Sequence, residues 1–443
     1  MTEPALTASD LELFDKSFAA NPTHRAMQNA VTSTSIDNVA LDREIVASTD
    51  TTVSNLLDDW KTTNQKNSGR CWMFAGLNLL RAGTAKKLNV TDFEFSQSYV
   101  QFWDKLERAN YFLEAVIDTS DRPVDDRTVG FLLSEVLSDG GQWNMFAALV
   151  KKHGLVPKQA MPETDSSSAT SRMNNNLCAI LREGARDVRA LRASGVEAQR
   201  ERKRELLEVV HRVLRIHIGT PPTKFLWQWQ DKDRNFHRHG WTTPTEFAAE
   251  YVTVPIDEYV CLVNDPRETS PYGRTFTVDY LGAVVGGDRV TYLNVEIDVL
   301  KQIAADTVAG GEPVWFGCDV DPMMSREIGI WDAKLYDYGS VYDAEVTLSK
   351  ADRLVYHHSA MTHAMLFTGV DIVDGTPRKW RVENSWGDDK ADKGFYTMND
   401  SWFDEYVFEI AARRSALPKH LQDALDTEPL VLPAWDPMGS LAR

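Results

Sequence analysis

A lone cysteine near residue 70 has the position of a possible nucleophile. Cys71 opens the strongly apolar run CWMFAGLNLLRAG, which predicts a buried helix that ends at Gly83. The N-terminus of a helix carries about half a positive charge and unpaired N–H groups, so a thiol there loses its proton more readily. Most single cysteines are structural, however. A catalytic thiol also needs a base, a group that orients the base, and donors for the oxyanion.

Three other residues supply those needs. His363 stands at the start of a predicted strand, and Asn384 stands at the end of the next strand of the same predicted hairpin. Adjacent strands bring the two side chains within reach, so the Asn384 amide can accept the imidazole N–H and fix the tautomer. Gln65 lies on the loop that enters the Cys71 helix, where its side-chain N–H groups and the Cys71 backbone N–H predict an oxyanion hole.

These residues resemble the papain-like cysteine peptidases. The resemblance rests on Gln65, Gly69, Cys71 and Trp72; Ser96 and Gln97; Gly140 and Gly141; His363 and Ala364; Asn384-Ser385-Trp386-Gly387; and Gly394-Phe395-Tyr396. It implies a catalytic set of Cys71, His363 and Asn384, with Gln65 in the oxyanion hole. It also implies that Trp386 shields His363.

The sequence departs from papain in two ways. Papain has a Cys-Gly-Ser-Cys-Trp type of pattern at the nucleophile, whereas this chain has Ser68-Gly-Arg-Cys-Trp, so that disulfide is absent. His363 and Asn384 follow Cys71 by 292 and 313 residues (71 to 363 and 71 to 384), against about 130–150 in papain. We therefore expect roughly 150 extra residues between the two halves of the site, of which an Arg-rich helical block supplies much.

That combination resembles the bleomycin hydrolase and aminopeptidase C branch. The final stretch EPLVLPAWDPMGSLAR is too apolar for a disordered tail and should dock. The resemblance implies that this C-terminal arm lies in the active-site cleft and that six subunits form a ring. We expect Ala442 and Arg443 to bind the substrate amine, with self-removal of Arg443 left open. Asp436, like Asp371 and Asp374, is expected to face solvent or to cap a turn.

The predicted fold class is α+β. The resemblance implies a two-domain papain-like fold with a helical left domain, a β-barrel-like right domain, a large helical insertion and the arm. We expect the boundaries to be 1–60 for an N-terminal extension, 61–164 for the left domain, 165–250 for the insertion, 251–415 for the right domain and 416–443 for the arm.

Local patterns support that division. Helix-period apolar residues occupy 94–117 and 142–153, a Ser-rich stretch follows at 163–171, and residues 172–218 should be helical. Strands are predicted at 252–256, 275–281, 290–295 and 314–320, with a hairpin of 365–373 and 379–383. Asp374 and Gly375 form the turn of that hairpin.

Composition limits the partners. The chain has 443 residues, a net charge of −17, four widely spaced cysteines and no long apolar run. We expect no membrane span, no disulfide framework, no export signal and hence a cytoplasmic location. The expected partners are peptide substrates and, by the resemblance, other copies in a homohexamer. We expect no cofactor.

Three alternatives stay open. A thiol acyltransferase would generally use Asp as its third residue, and the Asn384 pattern disfavours it. A metal site at His357, His358 and His363 lacks a carboxylate or cysteine at ligand spacing. A nucleic-acid-binding ring protein with secondary peptidase activity conflicts with the negative charge, unless the block 182–215, with ten Arg or Lys against six Asp or Glu, lines the channel.

Overall fold

The computed structural model describes residues 5–57 and 60–442. The part before residue 220 is mainly helical. Its helices are α1 (Ala8–Ala20), α2 (Pro22–Val31), α3 (Ile36–Ala40), α4 (Arg43–Ser48), α5 (Cys71–Leu88), α6 (Gln97–Asp118), α7 (Arg127–Ser134), α8 (Trp143–His153), α9 (Asp165–Ser168), α10 (Ser171–Ala190) and α11 (Val196–Ile218). No helix within the described ranges combines the length and the apolar character that a membrane crossing requires.

Helix α5 is the buried helix predicted at the nucleophile, but its predicted end was wrong. The helix passes through Gly83 and continues to Leu88, where Asn89 takes a left-handed conformation (φ 53°). Gly83 is needed for packing: a Cβ there would lie 1.9 Å from Oγ1 of Thr253. The absent side chain therefore lets the segment around residue 253 lie directly on the helix.

Most strands join one large sheet in the C-terminal half. The strands of the molecule are β1 (Asn55–Leu56), β2 (Phe225–Gln230), β3 (Phe236–Thr242), β4 (Tyr259–Val263), β5 (Arg274–Val278), β6 (Tyr292–Asn294), β7 (Val314–Cys318), β8 (Ile330–Trp331), β9 (His363–Val373), β10 (Thr376–Glu383), β11 (Phe395–Asn399), β12 (Val407–Arg413) and β13 (Leu430–Leu432). The sheet order is β13-β5-β6-β4-β12-β7-β9-β10-β11-β8, and β1 pairs with β9. Strands β2 and β3 form a separate hairpin.

Short helices connect these strands. They are α12 (Pro244–Tyr251), α13 (Ile297–Ala309), α14 (Tyr338–Tyr342), α15 (Lys350–Val355), α16 (Asp400–Tyr406) and α17 (Lys419–Ala424). The β9–β10 hairpin forms as predicted, and its tip residues Asp374 and Gly375 both have positive φ (51° and 80°). Two other predictions were wrong. Residues 252–256 form no strand, and the expected helical insertion also contains the β2–β3 hairpin.

The two halves of the fold meet at the start of α5. This helix packs against β9 and β7, and Nε1 of Trp315 on β7 donates to the Trp72 carbonyl at 3.0 Å. Cys71 is the first residue of α5 and His363 is the first residue of β9. Both residues therefore lie where the helical half of the fold meets the large sheet.

Candidate active site

The loop before Cys71 is held by polar contacts on both sides of the nucleophile. The Gly69 N–H donates to the Asp139 carboxylate at 3.2 Å, and Nε1 of Trp72 donates to the Asp139 carbonyl at 2.6 Å. Both Nη atoms of the fully buried Arg70 bind Glu163, at 3.1 and 2.9 Å. These contacts fix the backbone on both sides of Cys71, so the helix begins at a defined place.

His363 and Asn384 come together as predicted. Nε2 of His363 lies 2.8 Å from Oδ1 of Asn384. The Ser385 backbone N–H donates to the same Oδ1 at 2.7 Å, which requires the amide oxygen, not the nitrogen, on this side. Nε2 of His363 therefore carries the proton, and Nδ1 is left as the acceptor.

A buried ion pair joins the Asn384 strand to the helix of the nucleophile. Glu383, the residue before Asn384, accepts from Nη2 of Arg81 at 2.6 Å and from Nδ2 of Asn78 at 2.9 Å, both on α5. Trp60 donates to the other oxygen of Glu383 at 2.5 Å. Sequence reasoning missed these positioning residues because the pair is 302 positions apart. The polar residues inside an apolar helix were the available signal.

Trp386 packs against the catalytic imidazole candidate. The ring centroids of His363 and Trp386 are 4.9 Å apart, and the Arg326 guanidinium lies 4.1 Å above the Trp386 ring. Within this stack, the His363 side chain is buried. The arrangement fits the predicted shielding of the imidazole and its hydrogen bond from water.

Gln65 lies beside Cys71 and is anchored to the segment after Asn384. Its backbone N–H donates to the Ser385 carbonyl at 2.8 Å, and Oγ of Ser385 donates to Oε1 of Gln65 at 2.6 Å. Nε2 of Gln65 donates one N–H to the Ser68 carbonyl at 2.5 Å. Since an amide nitrogen has two N–H groups, one donor remains for an oxyanion.

Burial keeps both members of the proposed pair neutral. It raises the pKa of the Cys71 thiol to about 11, although the backbone N–H groups of Ala364, Trp72 and Cys71 oppose this shift. Burial also lowers the pKa of His363 to about 4, against the opposing effect of the Asn384 hydrogen bond. The lowered thiol pKa expected from the helix position is therefore outweighed by desolvation in this closed arrangement.

Residues near the C-terminus line the same cavity as Cys71. The cavity has a volume of about 300 Å³. Its lining residues are Gln65, Gly69, Cys71, Ser138, Asp139, Gly140, Ala360, Met361, Thr362, His363, Ser440 and Leu441. Oγ of Ser440 donates to the Met361 carbonyl at 3.0 Å, and Leu441 is buried.

The other two arm residues predicted for the site differ in position. The Ala442 carbonyl accepts from Nη1 of Arg108 at 3.3 Å, and Ala442 borders a neighbouring cavity with Arg108 and Met145. Arg443 lies outside the described residues.

Asp436 was expected to face solvent or to cap a turn, and the structure shows a buried capping group. Its carboxylate is buried and forms two hydrogen bonds with Arg267, although one of its oxygens also accepts from the Met438 N–H, as a capping group would. Asp371 is also buried and binds Arg378 on the β9–β10 hairpin.

Residues 5–57 and 60–442 contain no set of ligands for the metal site that the sequence left open. No group of three or more His, Cys, Asp or Glu side chains there is placed to hold a metal ion. His363 is buried against Asn384, whereas His357 and His358 are exposed.

Comparison with known proteins agrees with this geometry. The model of the Peptidase C1-like family matches residues 5–439. Bleomycin hydrolase of Gallus gallus is 41% identical over all of both chains. Aminopeptidase C of Lactobacillus delbrueckii subsp. lactis is 40% identical, covering 98% of this chain and 97% of its own. The crystal structure of PepW from Lactobacillus rhamnosis HN001 superposes with a TM-score of 0.97 at 42% identity, covering 99% of each chain.

These findings confirm the family and the α+β papain-like fold class predicted from the sequence, and they give no support to the nucleic-acid alternative. With such extensive similarity at about 40% identity, the chain belongs to the Peptidase C1-like family and is a cysteine peptidase.

Proposed function

We propose that this enzyme is an aminopeptidase that releases N-terminal residues from peptides by thiol attack on the first peptide bond. The observation that carries the proposal is that Cys71 and His363 share one cavity with Ser440 and Leu441 of the C-terminal arm. This shared cavity supports a nucleophile and base beside an arm that would limit the space for substrate. The names of the relatives, aminopeptidase C and bleomycin hydrolase, support the same reaction class.

The proposed reaction uses the neutral pair. Nδ1 of His363 accepts the thiol proton as the Cys71 sulfur bonds to the substrate carbonyl carbon, and the carbonyl electrons move to oxygen. The Cys71 backbone N–H and the free N–H of Gln65 donate to that oxyanion. The tetrahedral intermediate expels the leaving amine, which takes the proton from His363. Water, deprotonated by His363, then adds to the thioester carbonyl carbon. The carbon–sulfur bond breaks, the Cys71 sulfur takes the proton back from His363, and the N-terminal residue leaves with a free carboxylate.

The arm would decide which peptides enter. Leu441 lines the cavity of Cys71. In this proposal, a peptide extending further on the N-terminal side would meet the arm. The chain's terminal carboxylate, on Arg443 or on Ala442 after trimming, would attract the substrate's α-ammonium group. Hydrolysis of an amide bond of bleomycin would follow the same steps.

Truncation tests the arm. Deleting residues 440–443 should allow cleavage of N-acetylated peptides while release of single residues weakens. Cys71→Ser should abolish both activities, and Cys178→Ser, at a partly exposed thiol, should preserve them. A truncated enzyme that still rejects blocked peptides and keeps normal aminopeptidase kinetics would leave the arm with a structural role only.

A ring of six identical subunits is also proposed. Supporting it, α1 has no buried residue, and one of its faces exposes Leu11 and Phe14 by more than half and Phe18 by 40%. A surface of this kind is expected to pack against a second copy.

A cytoplasmic location is proposed as well. Cys71, Cys178, Cys261 and Cys318 are all unpaired thiols, which suits a reducing compartment.

A further inference from the structure

The turn that precedes β8 carries an arginine over the ring of Trp386. The guanidinium carbon of Arg326 lies 4.1 Å from the centroid of that ring. The imidazole of His363 packs against the same indole, with 4.9 Å between the ring centroids. His363 is buried, whereas 55% of the Arg326 side chain is exposed. The indole therefore lies between a permanent cation on the outside and the proposed base on the inside.

The backbone around Arg326 is held in place on two sides. The Ser325 N–H donates to the Ile330 carbonyl at 3.1 Å, which closes the turn at the first residue of β8. Strand β8 in turn pairs with β11 of the large sheet. Next to Arg326, Glu327 forms an ion pair with Lys390 in the segment that follows the tryptophan. The arginine side chain therefore starts from a defined place beside the indole.

Polar groups face His363 from each element packed around it. They are the Asn384 amide, the Cys71 thiol, the Cys318 thiol, the Asp321 carboxylate and the Arg326 guanidinium. Burial is the main cause of the lowered pKa of His363, and the Asn384 hydrogen bond opposes it. The Arg326 charge lowers this pKa further, whereas the Asp321 charge raises it by less. Of these two charges, that of Arg326 favours the neutral imidazole.

Arg326 is close enough for its charge to act on the imidazole. Taken end to end, the two distances through the indole place the guanidinium no more than about 9 Å from the imidazole. That separation is comparable with the Debye length of about 8 Å in physiological salt, and the indole excludes water from much of the path. Asp321 accepts from Nη2 of Arg326 at 3.4 Å, so it offsets only part of the charge.

We propose that Arg326 is a positioning residue that acts on His363 through Trp386. Its stacking holds the indole against the imidazole, and its charge keeps the imidazole in the neutral form that accepts a proton. A cation bound to the outer face of the indole also makes that ring a poorer partner for an imidazolium on the inner face. The inference rests on the proposed function, in which Nδ1 of His363 takes the thiol proton.

Two substitutions separate the charge of Arg326 from its packing. Arg326→Met keeps a long apolar side chain without the charge, and Arg326→Lys keeps the charge. For Arg326→Met we expect kcat on alanyl-aminomethylcoumarin to fall about two- to fivefold, the worth of one exposed cation–π contact, with KM little changed. The fall of kcat/KM on the acid side should move up by about 0.3 to 1 pH unit. Arg326→Lys should keep the wild-type pH profile. Arg204→Met, at an exposed arginine of α11, is the control and should change neither quantity.

The pH profile decides between a charge effect and a packing effect. A lower kcat in Arg326→Met with an unchanged pH profile would overturn the proposal, because looser packing alone would produce it. Equal shifts in Arg326→Met and Arg326→Lys would overturn it as well. Adding Asp321→Asn to Arg326→Met should bring the profile part of the way back, since the two charges act on the imidazole in opposite directions. A further upward shift in that double variant would contradict the assigned signs.

His363→Ala distinguishes a failure of this inference from a failure of the proposed function. If His363→Ala retains turnover, His363 is not the base and the proposed function fails. If His363→Ala is inactive while Arg326→Met keeps the wild-type pH profile, the proposed function stands and the role of Arg326 fails. Circular dichroism at each pH establishes that every variant is folded where its kinetics are measured.

Discussion

Arg267 binds Asp436 through two parallel hydrogen bonds, Nη1 to Oδ2 at 3.1 Å and Nη2 to Oδ1 at 2.9 Å. The two side chains are almost fully buried, and they tie the C-terminal arm to the body of the protein. Paired bonds of this geometry are among the stronger polar contacts in proteins. Four residues after Asp436 the chain reaches Ser440 in the cavity of Cys71, so this ion pair is well placed to hold the arm.

Asp436→Asn is therefore expected to loosen the arm. The substitution removes a charge-assisted pair, yet Arg267 keeps Asp265 as a partner, so the fold should survive. Hydrolysis of N-acetylated peptides should rise from background, with kcat for free-amine substrates nearly unchanged. Asp426→Asn, at an exposed pair with Arg414 in the preceding segment, is the matched control. Identical substrate profiles for both variants would contradict the anchoring role.

Removing the proposed oxyanion donor should slow the chemistry. Gln65→Ala is expected to reduce kcat by about 10² to 10³, the cost of losing one such donor. Asn384→Ala should cost less, because Trp386 still packs on His363. Steady-state kinetics on an aminoacyl-coumarin, with folding checked by circular dichroism, measures both. A near-normal kcat in Gln65→Ala would exclude that residue from the reaction.

The pH profile of activity should have its acid limb, the fall in activity on the acid side, at low pH. Nδ1 of His363 must be unprotonated to accept the thiol proton, and burial lowers its pKa from 6.5 to about 4. Activity should therefore persist below pH 6 and fall as pH falls through about 4. Leu441 lines the same cavity as His363, so deleting residues 441–443 should let more water reach the imidazole and move the limb up towards 6.5. A pH profile of kcat/KM for both enzymes tests this, and an acid limb common to both would argue against burial by the arm.

Short sequence patterns were sufficient to predict candidate reacting groups that the fold brings together. The segments around Cys71, His363 and Asn384 each predict their own local structure, and a helix start and a hairpin bring them together. The contacts that hold them were not predictable in the same way. The Arg81–Glu383 pair and the Arg267–Asp436 pair join residues 302 and 169 positions apart, so no local pattern reveals them.

The predicted end of the Cys71 helix was wrong for a related reason. Gly83 reads as a helix end, because glycine usually marks one. The chain instead uses it where Thr253 approaches the helix, and only the tertiary fold supplies that contact.

The stability of the protein should respond to pH through Glu409. Burial raises the pKa of its carboxyl from 4.5 to about 8, so between these values the folded protein holds a proton that the unfolded chain has released. Raising the pH from 5 to 8 therefore lowers the free energy of unfolding of the wild-type protein. Glu409→Gln has no such proton to release, so its free energy of unfolding should not fall for this reason. The difference in unfolding free energy between the two should grow by a few kcal/mol over that range, as measured with urea. Glu345→Gln, at an exposed position, is the control, and a difference independent of pH would contradict the shifted pKa.

The exposed face of α1 gives the test of assembly. Leu11, Phe14 and Phe18 recur at helical spacing on one side, and all three are at least 40% exposed. If this face packs against a second copy, the combined change Leu11→Ser and Phe14→Ser should shift the mass measured by light scattering from that of a hexamer towards the 50.0 kDa of one chain. Leu13→Ser is the control, since Leu13 is similarly exposed but projects from another side of the helix. Because the active-site residues lie elsewhere, hydrolysis per subunit should change little. A wild-type mass near 50.0 kDa across micromolar concentrations would refute the ring, and an unchanged hexamer in the double variant would place the interface on another surface.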